Sequence, residues 1–247
     1  MFGFNIDKRT FYIIIGVLVL FLIASTGKDG MFSLVLSIPA VLLAITVHEF
    51  GHAIAAYKLG DDTPLVQGRI SLNPISHIDP LGLAMLFFVH FGWGKPVQVD
   101  PRNYNRNISV EKADAIVSFA GPLMNFITAI IFALIYCAIY KYAGVVFWSS
   151  DIGDIIGKIV LATITINIGL GVFNLIPLPP LDGSKIFTPI LPYNAKSWFI
   201  QHEQTFYFVF ILIWITGIAG SLISPIIGEM TETILKLAMT IFGINYI

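Results

Sequence analysis

Apolar residues run through this chain in long blocks, at about 11 to 26, 33 to 57, 115 to 140, 155 to 176 and 205 to 227, with polar loops between them. Each block approaches the roughly 20 residues that a helix needs to cross about 30 Å of hydrocarbon. A shorter run, Leu81 to Trp93, is too brief for a standard span. With Gly82, Gly92 and Gly94 in and beside it and Lys95-Pro96 behind, it reads as a re-entrant or β-hairpin segment near 81–99, or as a tilted helix. The tail from Pro225 to Ile247 sets Ile226, Ile227, Met230, Ile234, Leu237, Ala238 and Ile241 around Glu229, Glu232 and Lys236. That spacing predicts an amphipathic or final packing helix.

The expected fold is therefore an all-α polytopic membrane protein of about six transmembrane helices. The loops 59–78 and 177–197 are too short to build a core of their own, which makes 1–247 one domain. Its core is 33–190, with accessory helices at 11–26, 205–227 and 229–245.

Composition supports this reading and closes off others. The chain is 56% hydrophobic and 12% charged, with a mean hydropathy of +0.83, where an ordinary soluble domain carries about 25% charged residues. A net charge of -1 with scattered Lys and Arg offers no basic surface to nucleic acid. Cys137 is the only cysteine, so an intrachain disulfide and a thiolate-rich zinc site are excluded, and its apolar neighbours mark it as a packing residue.

Charge also orients the chain. Lys8-Arg9 precede the first block, which lacks a convincing cleavage site and is expected to be retained as a helix with a cytoplasmic N-terminus. Lys58, Arg69, Lys95, Arg102, Arg106 and Lys112 all fall between the second and third long blocks, making that region cytoplasmic as well.

Against this apolar background, His48-Glu49-Phe50-Gly51-His52 stands out as H-E-x-x-H. Four residues of helix turn about 400° and rise about 6 Å, so His48 and His52 share a face and could grip one ion. Glu49 projects close to that face without being needed as a ligand, which suits a carboxylate that takes a proton from activated water. The motif also occurs by chance on solvated helices. Here it lies between Val41–Val47 and Ala53–Ala56, where each ionisable group costs at least about 2.5 kcal/mol, and a purely structural cluster rarely justifies that.

A catalytic zinc usually takes three protein ligands and keeps a fourth position open. Asp182 is the best third candidate, following the 155–176 block in N-L-I-P-L-P-P-L-D-G. The topology brings this segment to the same side as His52, and its prolines and Gly183 would let extended backbone turn back into a cavity. Spacing alone fits a solvated Asp in a proline-rich exit loop equally well.

Taken together, H-E-F-G-H in one span and N-x-x-P-x-P-x-L-D-G after a later one resemble the site-2 protease family, peptidase family M50. The resemblance covers roughly residues 35 to 190. It includes Asn73–Gly82, Phe91–Val97 and Gly121-Pro122-Leu123-Met124-Asn125, which resemble segments of the compact bacterial branch that lacks PDZ and CBS domains. It implies one Zn2+ per chain, held by His48, His52 and Asp182, with Glu49 as general base and later acid. Asn174 matches a family residue that binds substrate backbone or stabilises the oxyanion.

The implied activity is hydrolysis of peptide bonds in or near transmembrane segments of other membrane proteins, at a bacterial plasma membrane. The Leu81–Val99 segment could offer such a substrate a strand edge. Two rivals remain at this point. One is a transporter or ion pathway built on buried His, Glu and Asp; the other is a metal-binding pseudoprotease scaffold.

Other polar residues read as structural. His77 fits a hydrogen-bonded interfacial loop better than a ligand, His90 a satisfied core or interfacial ring, and His202 a loop position. Gly121 and Asn125 share a helix face as a packing pair, with Asn125 bonding across it. Phe206, Phe208 and Phe210 are expected to face lipid or to pack.

Overall fold

The computed structural model of the protein describes residues 8–82 and 92–244. Helix α1, Lys8–Lys58, contains both of the first two apolar blocks and is interrupted at Gly27, whose φ is 67°. Helix α2, Thr63–Val66, is a single turn in the loop that follows. Helix α3, Val110–Tyr142, is succeeded by the short α4, Gly144–Trp148, and by α5, Asp151–Asn174. Beyond it come α6, Asp182–Phe187, α7, Tyr193–Gln201, α8, Glu203–Ile215, and α9, Ile218–Ile241.

Among the described residues three helices are long and apolar enough to cross a membrane: Gly30–Lys58, Val110–Tyr142 and Asp151–Asn174. A fourth crossing is reached if α8 and α9, bent by 75° at their junction, count as one broken span.

That bend corrects the expected helix at 205–227. The chain turns at Gly217, whose φ of 73° puts it in the left-handed region that costs a side-chain-bearing residue free energy and glycine almost none. The Thr216 hydroxyl donates to the carbonyls of Leu212 and Ile213, at 2.9 and 3.1 Å, and so satisfies the exposed end of α8. Residues 218–227 then join the tail in one continuous α9. A hydropathy scan adds up apolarity and does not register a change in chain direction, so it merges segments that the backbone separates.

Helices α3, α5 and α9 pack around Ala129, Ala133 and Cys137 of α3, Val160, Ile164 and Ile168 of α5, and Ala238 of α9. The small residues of α3 recur every four positions, which lets the helix axes approach closely where apolar lipid gives little other drive to associate. Cys137 is fully buried in this cluster. At one end of the bundle, Lys141 Nζ donates to the Phe242 carbonyl at 2.6 Å and ties the last turn of α3 to the end of α9. At the opposite end, Ala56, Tyr104, Ala113 and Val117 join α1 and α3 to the intervening loop.

That loop is held by a buried carboxylate. Asp61 accepts from Thr63 N at 3.0 Å, Thr63 Oγ1 at 2.5 Å, Asn103 Nδ2 at 3.0 Å and Asp100 N at 2.7 Å. Burial alone would raise its pKa, but these donors outweigh it and hold the carboxyl below the ordinary carboxylate range.

No strand occurs among the described residues. An isolated antiparallel bridge joins Ile78 to Gly94, and Lys95 N donates to the His77 carbonyl at 2.8 Å. These contacts close the base of the expected 81–99 segment. Residues 83–91, with His90, lie outside the described residues.

Candidate metal centre and active site

His48 and His52 lie one turn apart on α1, with their Nε2 atoms 3.1 Å apart. Ten residues of helix separate His48 from Lys58, the end of α1, so the ring lies about 15 Å inside that end. Asp182, the first residue of α6, brings Oδ2 to 3.1 Å from His48 Nε2 and 3.2 Å from His52 Nε2. Three donor atoms from two distant stretches of chain thus form a nearly equilateral triangle.

Two glycines make this convergence possible. A methyl group on Gly121 of α3 would lie 2.5 Å from Cε1 and Nε2 of His52 and 2.9 Å from Cε1 of His48, so the missing side chain leaves room for both rings. The second is Gly183, next to Asp182. Its Cα packs so closely on the end of α5 that a Cβ would lie 2.3 Å from the Ile176 carbonyl oxygen and 2.5 Å from that of Leu175. The proline-rich turn therefore folds back on its own helix, and Asp182 is aimed inward instead of into solvent.

The far side of each imidazole is occupied. His48 Nδ1 donates to Asn125 Oδ1 at 2.7 Å, and His52 Nδ1 donates to the Val117 carbonyl at 2.7 Å. A carbonyl oxygen only accepts, so each neutral ring carries its proton on Nδ1 and presents the Nε2 lone pair to its neighbour. Asp182 Oδ2 is buried and, among the described residues, meets no hydrogen-bond donor. With both rings neutral, three electron-rich atoms face one another, an arrangement that a cation stabilises.

The donor set fits zinc. Imidazole nitrogen and carboxylate oxygen are its ordinary ligands at about 2.0–2.2 Å, and tetrahedral ligands at that range stand roughly 3.3–3.5 Å apart. The observed separations of 3.1–3.2 Å are close to that edge.

Glu49 is not one of the three clustered residues. Its Oε2 accepts from the Val97 backbone N–H at 2.8 Å, which ties α1 to the extended chain after Gly94. Arg69, only 5% exposed, donates from its two terminal nitrogens to the Ser76 and Lys95 carbonyls. It therefore clamps both sides of the Ile78–Gly94 bridge, close to the Glu49 charge. Fully buried His77 donates from Nε2 to the Ser71 carbonyl at 2.7 Å, and its Nδ1 has no partner among the described residues. Burial and the neighbouring Arg69 push its pKa down, so the ring is neutral. His77 stands outside the metal cluster.

Asn174 ends α5 and donates from Nδ2 to the Leu170 carbonyl at 3.0 Å, turned back along its own helix. His202 stacks on Trp198 at 4.8 Å between ring centroids. Phe210 is buried and packs on Phe173, whereas Phe208 is 66% exposed.

Asn167 was not singled out by its sequence. It is fully buried on α5, accepts from Asn125 Nδ2 at 2.9 Å and donates to the Thr163 carbonyl at 2.8 Å. An amide in the middle of an apolar span is costly unless paired, and that cost is the signal that marks it.

The pattern that defines "Peptidase family M50" matches residues 138–217, the part that carries Asp182. "Putative zinc metalloprotease YwhC" of Bacillus subtilis (strain 168) is 34% identical over 202 residues, which is 82% of this chain and 90% of that protein. The chain belongs to peptidase family M50. Further relatives come from other organisms. "Putative zinc metalloprotease Rip2" of Mycolicibacterium smegmatis is 29% identical over 190 residues, covering 76% of this chain and 68% of the relative. "Putative zinc metalloprotease MJ0611" of Methanocaldococcus jannaschii is 29% identical over 99 residues, 40% of this chain and 44% of that protein. No solved structure matches the chain.

Proposed function

We propose that this M50 protein is an intramembrane zinc metalloprotease that hydrolyses peptide bonds in or near transmembrane segments of other membrane proteins. The observation that carries the reading is the meeting of His48 Nε2, His52 Nε2 and Asp182 Oδ2 inside an apolar helix bundle. These three residues would hold the ion, one per chain. When bound, zinc supplies Lewis acidity toward water and toward the scissile carbonyl oxygen.

The remaining steps belong to the chain. Val97 N–H occupies Oε2 of Glu49, which leaves Oε1 to take the proton of the attacking water and to return it to the leaving amine. Asn174, at the helix end before the Asp182 turn, is assigned to substrate backbone or oxyanion contact, for which its carbonyl and second amide hydrogen supply the chemistry. A helical substrate keeps its carbonyls bonded and shielded, so it must unwind first. The 81–99 segment, closed at its base by the Ile78–Gly94 bridge, is a suitable edge for the extended strand.

The architecture assigned here has about five crossings: block 11–26, the three long spans, and α8 with α9 as one broken span, which stands in place of two of the helices expected from sequence. The Lys and Arg residues of the loop between α1 and α3 support a cytoplasmic site end, and the resemblance to the compact bacterial branch supports a bacterial plasma membrane. The test is zinc per chain and cleavage of a membrane-protein substrate by wild type and Glu49→Gln. Metal retained with cleavage lost is expected, and equal cleavage by both would sink the mechanism.

A further inference from the structure

The two metal-binding histidines are oriented by different means. His52 is held by a main-chain carbonyl, that of Val117, which no side-chain change removes. His48 is held by a side chain, and that side chain is itself held by others. From α5 inward, the Thr163 carbonyl accepts from Asn167 Nδ2 at 2.8 Å, and Asn167 Oδ1 accepts from Asn125 Nδ2 at 2.9 Å. Asn125 Nδ2 also donates to the Ala44 carbonyl at 3.0 Å, while Asn125 Oδ1 accepts from His48 Nδ1 at 2.7 Å. Both asparagines are 0% exposed.

The direction of this chain is forced. The Thr163 carbonyl can only accept, so Asn167 must turn its nitrogen outward and its oxygen toward Asn125. Asn125 then meets two acceptors, Asn167 Oδ1 and the Ala44 carbonyl, and must give both its nitrogen. Its oxygen is left for His48, which must donate from Nδ1. Reversing either amide would set oxygen against oxygen in a buried site, with the cost of unpaired polar groups.

We propose that Asn125 and Asn167 form an amide relay that sets the tautomer and ring orientation of His48, and through them the affinity of the protein for zinc. Both are positioning residues, and Asn167 acts only through Asn125. The proposal rests on the ligand assignment made above. Helix association alone would also place paired asparagines between spans, but that role would not require their order to end at a ligand nitrogen.

The test is zinc affinity of the purified, metal-stripped full-length protein in detergent, measured by competition with a chromophoric chelator. Partners of a ligand's far nitrogen are worth about 10- to 100-fold in metal affinity. Asn125→Leu is expected to weaken binding by that order and Asn167→Leu by less. The double variant Asn125→Leu/Asn167→Leu should bind no more weakly than Asn125→Leu alone, because the second change acts through the first. Wild-type affinity in Asn125→Leu, or additive losses in the double variant, would overturn the relay.

A second measurement needs no asparagine variant. Nitrogen NMR of histidine-labelled apo protein, with the His48 signal identified by its loss in His48→Gln, should show Nδ1 protonated; a proton on Nε2 in place of Nδ1 would also overturn it. Asp182→Ala separates the two levels. Undiminished zinc there would remove the ligand assignment itself, whereas lost zinc there together with unaffected asparagine variants would remove the relay alone.

Discussion

Gly121 lies against the His52 imidazole so closely that one added methyl group would sit 2.5 Å from two ring atoms. The contact joins the H-E-x-x-H helix to the G-P-x-x-N helix at the level where the metal ligands must stand. Gly121→Ala should therefore displace one or both imidazoles. Zinc per chain is expected to fall to less than half that of wild type, read by metal analysis. Gly220→Ala on α9, where a methyl group would meet nothing within 4 Å, should leave zinc unchanged and add up to about 1 kcal/mol of helix stability.

Gly183 is constrained in another way, because the atoms it would strike are backbone carbonyls and cannot rotate aside. Gly183→Ala should push the α6 turn off the end of α5 and carry Asp182 with it. Loss of zinc is expected, together with destabilisation of at least about 2 kcal/mol, within the range of strained or overpacked sites. Thermal unfolding of the apo forms of both proteins isolates the second effect.

Arg69 separates metal binding from catalysis. It fastens the Ser76 and Lys95 carbonyls, and the chain just beyond Lys95 presents the Val97 N–H to Glu49. Arg69→Met should leave zinc content intact and lower the rate of cleavage by about 100-fold, the scale expected when a reacting group is misplaced by roughly 1 Å. Loss of zinc in parallel with activity would mean that Arg69 supports the whole fold instead.

Asp61 gives a pH dependence with a defined sign. Its folded pKa is depressed, so its contribution to stability is complete above the unfolded value of about 3.9 and is lost as pH falls through the lower folded value. The difference in melting temperature between wild type and Asp61→Asn should be present at neutral pH and should shrink below about pH 4. A gap that widened on acidification would contradict the assignment.

The membrane class and the two histidines were legible because they depend on short-range geometry: block length, and a spacing of four on one helix. Asp182 became a candidate because prolines and a glycine at the end of a span announce a change of direction, and the family resemblance favoured it over a solvated loop residue. Asn167, the Val117 carbonyl and the Val97 N–H were not, since each acts across helices whose packing no local pattern encodes. Asn125 was read as a packing residue that bonds across its helix face, but its attachment to His48 emerged only once α1 and α3 were side by side. The turn at Gly217 escaped for the opposite reason, because uniform apolarity on both sides concealed a local backbone event.

The bond from Val97 to Glu49 has a consequence for how this enzyme should be dissected. The donor is a peptide group, and every residue except proline would supply it equally well. Alanine scanning across 94–99 would thus report a tolerant loop even if the Glu49 carboxylate depends on it. Only a change to the main chain itself, Val97→Pro or an ester in place of that amide, can expose the dependence.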